Sequence, residues 1–214
     1  MAVSPVLTAS DVVNNAAVIP VIVVDDVSLA VPMAQALVAG GIRMLEITLR
    51  TPQALAAMEA ISKAVPEACV GAGTARRAAD VRAAANAGAR FVVSPGYTTA
   101  VGQACRDAGL PLLPGVATGS EIMLAQEDGW NVLKFFPAAA AGGMPLLKAW
   151  QGPFSDVRFC PTGGISTSNA AEFLALSNVA CVGGSWLTPA AVLAAKDWKT
   201  IQALATQASQ IRRG

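Results

Sequence analysis

The sequence predicts an α/β protein: a (β/α)8 barrel in one domain over residues 1–214, with an extra terminal helix. Three observations predict it. Short apolar runs of strand type recur about every 20 to 26 residues, the spacing of one strand, one helix and two short loops. Alanine-rich amphipathic stretches that favour helix lie between them. Neither hairpin signals nor a Pro- or Ser-rich linker interrupts the alternation, so the strands are expected to be parallel and joined by helical crossovers. About eight such units in 214 residues make a compact TIM barrel, and an open doubly wound sheet is the architecture that competes with it.

The first apolar run is VIPVIVV (18–24), ended by Asp25 and Asp26. A helical stretch, SLAVPMAQALVAGG, follows from Ser28 as its start signal to Gly40 and Gly41 as its stop. The second strand is RMLEITL (43–49), after which Thr51 and Pro52 open the next helix. ACVGA (68–72) and RFVVS (90–94) flank the helical TARRAADVRAAANAG, closed by Gly88, and Gly109 closes the helix before PLLPG (111–115). NVLKFF (131–136), VRFCP (157–161) and VACVG (179–183) complete the set, and the stretch from Asp197 to Arg213 reads as the accessory helix.

Composition narrows the chemistry. The chain is 54% hydrophobic and 14% charged, with a net charge of +1 and no histidine. Without imidazole, histidine-based serine or cysteine triads and the usual histidine-bearing metal sites are excluded, which leaves carboxylate, lysine, water or the single tyrosine, Tyr97, as proton carriers. The near-neutral balance, without a basic stripe, argues against nucleic acid and membrane surfaces as partners. Cys69, Cys105, Cys160 and Cys181 lie far apart with no C-x-x-C pair and read as reduced core residues. With Arg43 the first cationic side chain and AAVIPVIVV too short to span a bilayer, the expected setting is cytoplasmic.

Four places depart from plain core. In MLEITLR the residues alternate, so if Leu45, Ile47 and Leu49 meet the helices, Glu46, Thr48 and Arg50 face the barrel interior. A buried Glu–Arg pair that only offsets its desolvation would have the same pattern. Lys134 sits among Leu133, Phe135 and Phe136, where desolvation and a nearby Arg50 cation would lower its pKa and supply a nucleophilic amine; a strand-end lysine snorkelling to water is the plainer reading. PTGGI (161–165) and VGGSWL (182–187) place glycine pairs at consecutive strand ends, where backbone N–H groups can bind phosphate, although glycine pairs also make tight turns. GAGT (71–74) and SPG (94–96) add a rim of small and hydroxylated residues, or else are turns with helix caps.

Taken together, EITLRT, VGAGT, SPG, PGVATGSE, LKFFPA, RFCPTGGI and VGGSW resemble, in order and spacing from about Val18 to Pro189, the 2-keto-3-deoxy-6-phosphogluconate (KDPG) aldolase family, also called 2-keto-4-hydroxyglutarate aldolase. The resemblance implies a homotrimer of barrels that cleaves a phosphorylated keto acid, with no metal and no cofactor. It implies Lys134 as the Schiff-base lysine and Glu46 as general acid/base. Arg50 and Thr74 would hold the substrate carboxylate in a pocket lined by Pro95 and Phe136. Thr162, Gly163, Gly164, Gly183, Gly184 and Ser185 would take the distal hydroxyl and phosphate. Some relatives carry an arginine late in the first strand where this chain has Val23, which puts more of the carboxylate binding on Arg50. A phosphogalactonate aldolase and a barrel that binds a phosphosugar without a covalent bond are the rival readings.

Overall fold

The computed structural model describes residues 7–211 of the chain. Its strands are β1 (Val18–Ile22), β2 (Met44–Thr48), β3 (Cys69–Gly73), β4 (Phe91–Val93), β5 (Leu112–Leu113), β6 (Gly115–Val116), β7 (Val132–Phe135), β8 (Arg158–Pro161) and β9 (Val182–Gly184). Every pairing between them is parallel. They form a six-stranded sheet in the order β5-β4-β3-β2-β1-β9 and a three-stranded sheet in the order β6-β7-β8. Two isolated parallel bridges, Phe159 with Val179 and Thr162 with Gly183, join β8 to the approach and body of β9.

The crossovers are helical as expected: α2 (Ala30–Ala39), α3 (Ala54–Ala64), α4 (Ala78–Asn86), α5 (Thr99–Asp107), α6 (Gly119–Glu127), α7 (Gly143–Trp150) and α8 (Ala170–Leu174), followed by α9 (Ala190–Ala194) and α10 (Trp198–Ser209). Gly88 and Gly109 stop their helices at φ +86° and +64°, the left-handed conformation that glycine adopts without a Cβ penalty. A further short helix, α1 (Ala9–Asn14), carries no strong pattern in the sequence; Thr8 and Asp11 hold its start in a reciprocal capping box.

Several boundaries move for identifiable reasons. The fifth run becomes two short strands because the residue between them, Pro114, has no N–H to give. Ser28 does not cap α2: its N–H donates to the Asp26 carboxylate at 2.8 Å, which starts a 3-10 turn that α2 then continues. Thr51 turns its hydroxyl to the Val24 carbonyl, and α3 begins at Ala54. The terminal helix starts after Asp197, whose side chain accepts from Thr200 N, and ends at Ser209; its expected extension over 212–213 lies outside the described residues.

Two layers of core follow from strand alternation. Leu45, Ile47, Val70, Leu133, Phe135 and Phe159 pack outward against the helices. There Trp150 of α7 meets Phe135 edge-on at 5.2 Å and stacks on Phe159 at 5.3 Å, each buried ring contributing roughly 1.5–3 kcal/mol. Holding Phe135 outward turns its neighbour Lys134 to the other face. On that inner face Ile19, Met44, Cys69, Phe91, Val93, Leu113, Val132 and Cys160 form a second cluster with Val12 and Val13 of α1 and Ala16 just after it. None of the four cysteines is in a disulfide, all are buried, and burial pushes the Cys105 thiol up to about 12. No described helix is long and apolar enough to cross a membrane.

Candidate active site

Among the described residues only two charged side chains are buried, Glu46 at 3% exposure and Lys134 at 4%. They stand 88 positions apart in sequence and meet inside the strand layer, with Lys134 Nζ 3.2 Å from Glu46 Oε1. Glu46 alternates with Met44 on the inner face of β2, and Lys134 with Val132 on that of β7. Isolated burial of either charge would cost several kcal/mol, so each requires the other. The pair therefore replaces the Glu–Arg partnership that the β2 pattern alone allowed. Gly73 makes room for it: a Cβ there would stand 2.3 Å from Glu46 Oε1.

Above the pair, Lys134 Nζ lies 5.2 Å from the centroid of the Phe136 ring, a cation–π distance. Arg50 does not continue the buried face. β2 ends at Thr48, whose hydroxyl donates to the Ile22 carbonyl at 2.9 Å and so ties β2 to β1. Arg50 lies beyond that end in a turn, exposed, and its Nε donates to Thr74 Oγ1 at 3.2 Å. Thr74 adopts φ +61°, a left-handed conformation costly for a β-branched residue, which aims its hydroxyl from the end of β3. Pro95 sits half-buried on the loop after β4.

The two glycine loops converge. Gly163 and Gly164 take φ +97° and +76°, and a Cβ on Gly164 would meet the Ala139 Cβ at 2.4 Å. A Cβ on Gly183 would meet Thr162 Oγ1 at 2.2 Å, so both loops approach each other as only glycine permits. Thr162, Gly163, Gly164, Gly183, Gly184 and Ser185 line one cavity of about 170 Å³, together with Arg50 and Phe136. Val21, Val23 and Ile165 complete its wall; the sequence reads Val21 only as strand core, while Val23 is the position where some relatives carry an arginine and Ile165 ends the PTGGI loop. A larger, mostly apolar cleft of about 510 Å³ adjoins it past Val21, Val23 and Ser185, but its charged lining is only Asp25 and Asp26. Arg50 lines the smaller space, whereas Lys134 and Glu46 lie outside its lining, with Lys134 Nζ against the Phe136 ring that forms part of that wall. No group of three or more histidine, cysteine or carboxylate side chains converges as a metal cluster among the described residues.

This geometry can bind an acid group at Arg50, present an amine to a carbonyl beneath it and shuttle a proton between that amine and one carboxylate. Comparison with known proteins bears on which reaction that is. The family model described as KDPG and KHG aldolase matches residues 9–204. The KHG/KDPG aldolase of Escherichia coli (strain K12) is 51% identical over 201 residues, covering 94% of each chain. A crystal structure of a KDPG aldolase from Legionella pneumophila, with pyruvate captured at low pH as a covalent carbinolamine intermediate, superposes with a TM-score of 0.93 at 46% identity, over 95% of this chain and 99% of that one. The 2-keto-3-deoxy-6-phosphogluconate aldolase of Zymomonas mobilis ZM4, solved with 3-phosphoglycerate, gives a TM-score of 0.92 at 46% identity, over 96% and 97% of the two chains.

Proposed function

This chain belongs to the KDPG and KHG aldolase family, and from that premise we propose that it is a class I aldolase. Its substrate is 2-dehydro-3-deoxy-6-phospho-D-gluconate, cleaved to pyruvate and D-glyceraldehyde 3-phosphate, and it also acts on 4-hydroxy-2-oxoglutarate. The observation that carries the reading is the buried Lys134–Glu46 pair, with Lys134 against the ring of Phe136, which lines a pocket together with one guanidinium and two glycine loops. The PTGGI and VGGSW loops match the gluconate rather than the galactonate branch.

The mechanism follows from the contacts. Glu46 Oε1 takes a proton from Lys134 Nζ across their 3.2 Å contact, which frees the amine to attack the keto carbon. The same carboxyl then protonates the carbinolamine hydroxyl, and water leaves to give an iminium. With the cation as electron sink, Glu46 removes the C4 hydroxyl proton, the C3–C4 bond breaks and the aldehyde departs. The enamine left on Lys134 takes a proton at C3 from Glu46, and water releases pyruvate. Arg50, held through Nε by Thr74, offers its two Nη groups to the substrate carboxylate, while Pro95 and Phe136 wall the pyruvyl end. Thr162, Gly163, Gly164, Gly183, Gly184 and Ser185 take the phosphate through hydroxyl and backbone groups, so a near-neutral chain accommodates an anionic substrate.

We read the two sheets as arcs of one closed (β/α)8 barrel in a single domain. Three observations support this: inner-face residues from both sheets share one cluster, β5 and β6 are continuous through Pro114, and the bridges span β8 and β9. The family resemblance adds a cytoplasmic homotrimer, which light scattering would report as three times the 21.7 kDa chain. Borohydride reduction with pyruvate tests the chemistry: a lactyl adduct on Lys134 is expected, and Lys134→Ala should lose both adduct and cleavage while remaining folded. No adduct would favour the non-covalent phosphosugar-binding barrel.

A further inference from the structure

The only tyrosine of the chain lies two residues beyond Pro95, in the loop between β4 and α5. Its ring runs back along α5, where a Cβ on Gly102 would stand 2.6 Å from the hydroxyl and 3.1 Å from Cε2. The Tyr97 hydroxyl donates to Asp128 Oδ2 and accepts from Trp130 Nε1 at 3.1 Å. Thr99, from the first turn of α5, donates to the same carboxylate oxygen at 3.3 Å. Arg106 closes the far side: its guanidinium lies 5.0 Å from the Trp130 ring centroid and donates to the Asp128 carbonyl. Asp128 and Trp130 belong to the connection that leads into β7, and Lys134 follows four residues after Trp130.

The same loop is pressed against β6 on its inner side. A Cβ on Gly115 would come within 2.3 Å of the Pro95 carbonyl carbon, so the Pro95 backbone rests directly on this glycine. Gly115 is the register partner of Lys134, whose N–H donates to the Pro114 carbonyl at 2.8 Å. The Pro95 loop is thus gripped from outside by the segment that begins β7 and from inside by the strand that pairs with the nucleophile.

We infer that Tyr97 is a positioning residue for the aldolase reaction: its hydroxyl latches the Pro95 loop to the Asp128–Trp130 connection and so fixes the pyruvyl wall relative to Lys134. Burial, and then the hydrogen bond to Asp128, push the Tyr97 hydroxyl above its ordinary value, so it remains a proton donor through the neutral range. Loss of the latch leaves the amine and carboxylate in place but lets Pro95 move. Misplacement of about 1 Å costs a reaction of this kind up to about 100-fold.

This inference rests on the aldolase reading, and the test separates the two. Tyr97→Phe keeps the ring and removes the donor; Asp128→Ala removes the acceptor. Both, and the double variant, are assayed at a temperature well below their unfolding transitions, with circular dichroism to establish folding. The expected result is a fall of about 10-fold in kcat/KM for cleavage in each single variant, carried by a raised KM, with a matching rise in the pyruvate concentration that gives half-maximal borohydride trapping. The double variant should fall by about the same 10-fold rather than by 100-fold, because both changes break one latch. Should Tyr97→Phe fail to fold, Asp128→Ala alone carries the KM comparison. A lower unfolding midpoint with unchanged kinetic constants, or losses that multiply, overturns the latch. Absence of a trapped adduct in the unaltered protein would overturn the aldolase reading itself, and the latch with it.

Discussion

Gly73→Ala pushes a methyl group into the space that the Glu46 carboxylate occupies. The new Cβ would stand 2.3 Å from Oε1, 2.6 Å from Cγ and 2.9 Å from Cδ of Glu46. Restoring ordinary carbon–oxygen contact requires the carboxylate to retreat by roughly 1 Å, since such contacts stabilise near 3.5 Å. Oε1 is already 3.2 Å from Lys134 Nζ, so a retreat of that size takes it out of hydrogen-bond range. Two effects should appear together. Overpacking should cost about 1–3 kcal/mol, which lowers Tm by roughly 2–12 °C in a chain of this length. The misplaced carboxylate should lower kcat about 100-fold, as expected for a 1 Å error at a proton-transfer site. Pyruvate release coupled to NADH oxidation by lactate dehydrogenase measures the second effect, and a thermal melt followed by circular dichroism measures the first. A variant with kcat within threefold of the original and normal borohydride trapping would refute the view that Gly73 sets the position of Glu46.

The buried pair predicts a non-additive stability pattern. Glu46→Leu leaves Lys134 with an unpaired buried charge and should cost about 3–5 kcal/mol, whereas Glu46→Leu with Lys134→Met should recover most of that loss in urea titrations while remaining inactive. The thiols should be silent in the native state: burial holds Cys105 near 12 and raises Cys69, so a disulfide reagent should label almost nothing until guanidinium unfolds the protein, and then all four cysteines. At the start of α10, hydrogen bonds from Thr200 hold the Asp197 carboxyl below its ordinary 3.8. A depressed folded pKa means that the cap stabilises the fold above the unfolded value and is lost as pH falls through the folded one. Asp197→Ala should therefore lower Tm at pH 7, and its gap from the original protein should narrow as the pH drops below 3.8.

Local pattern carried a large part of this structure into the sequence. The alternation in MLEITLR was enough to put Glu46 and Thr48 inward, because period-two geometry leaves no other arrangement for a covered strand. The glycine pairs of PTGGI and VGGSW mark strand ends in the sequence, and both line the cavity, although the pattern alone leaves tight turns as an alternative reading. Alternation puts Arg50 inward only if the strand reaches it; β2 stops at Thr48, and Arg50 is exposed in the turn beyond. The partner of Glu46 could not be read from β2 at all: Lys134 is 88 residues away, and only the family resemblance brought the two into one site. Gly73, Gly115 and the Tyr97 contacts were invisible for the same reason, being requirements set by side chains on other elements. α1 escaped notice because six residues are too few for periodicity to register.

That first helix has a kinetic consequence. Val12 and Val13, with Ala16 just beyond the helix, share the inner core with Ile19 and Met44, near them in sequence, and with Val132 and Cys160, far downstream. Contacts of such separation form only after the intervening chain has been closed into a loop, which slows folding. The earliest described helix therefore reaches its final packing only when β7 and β8 are in place.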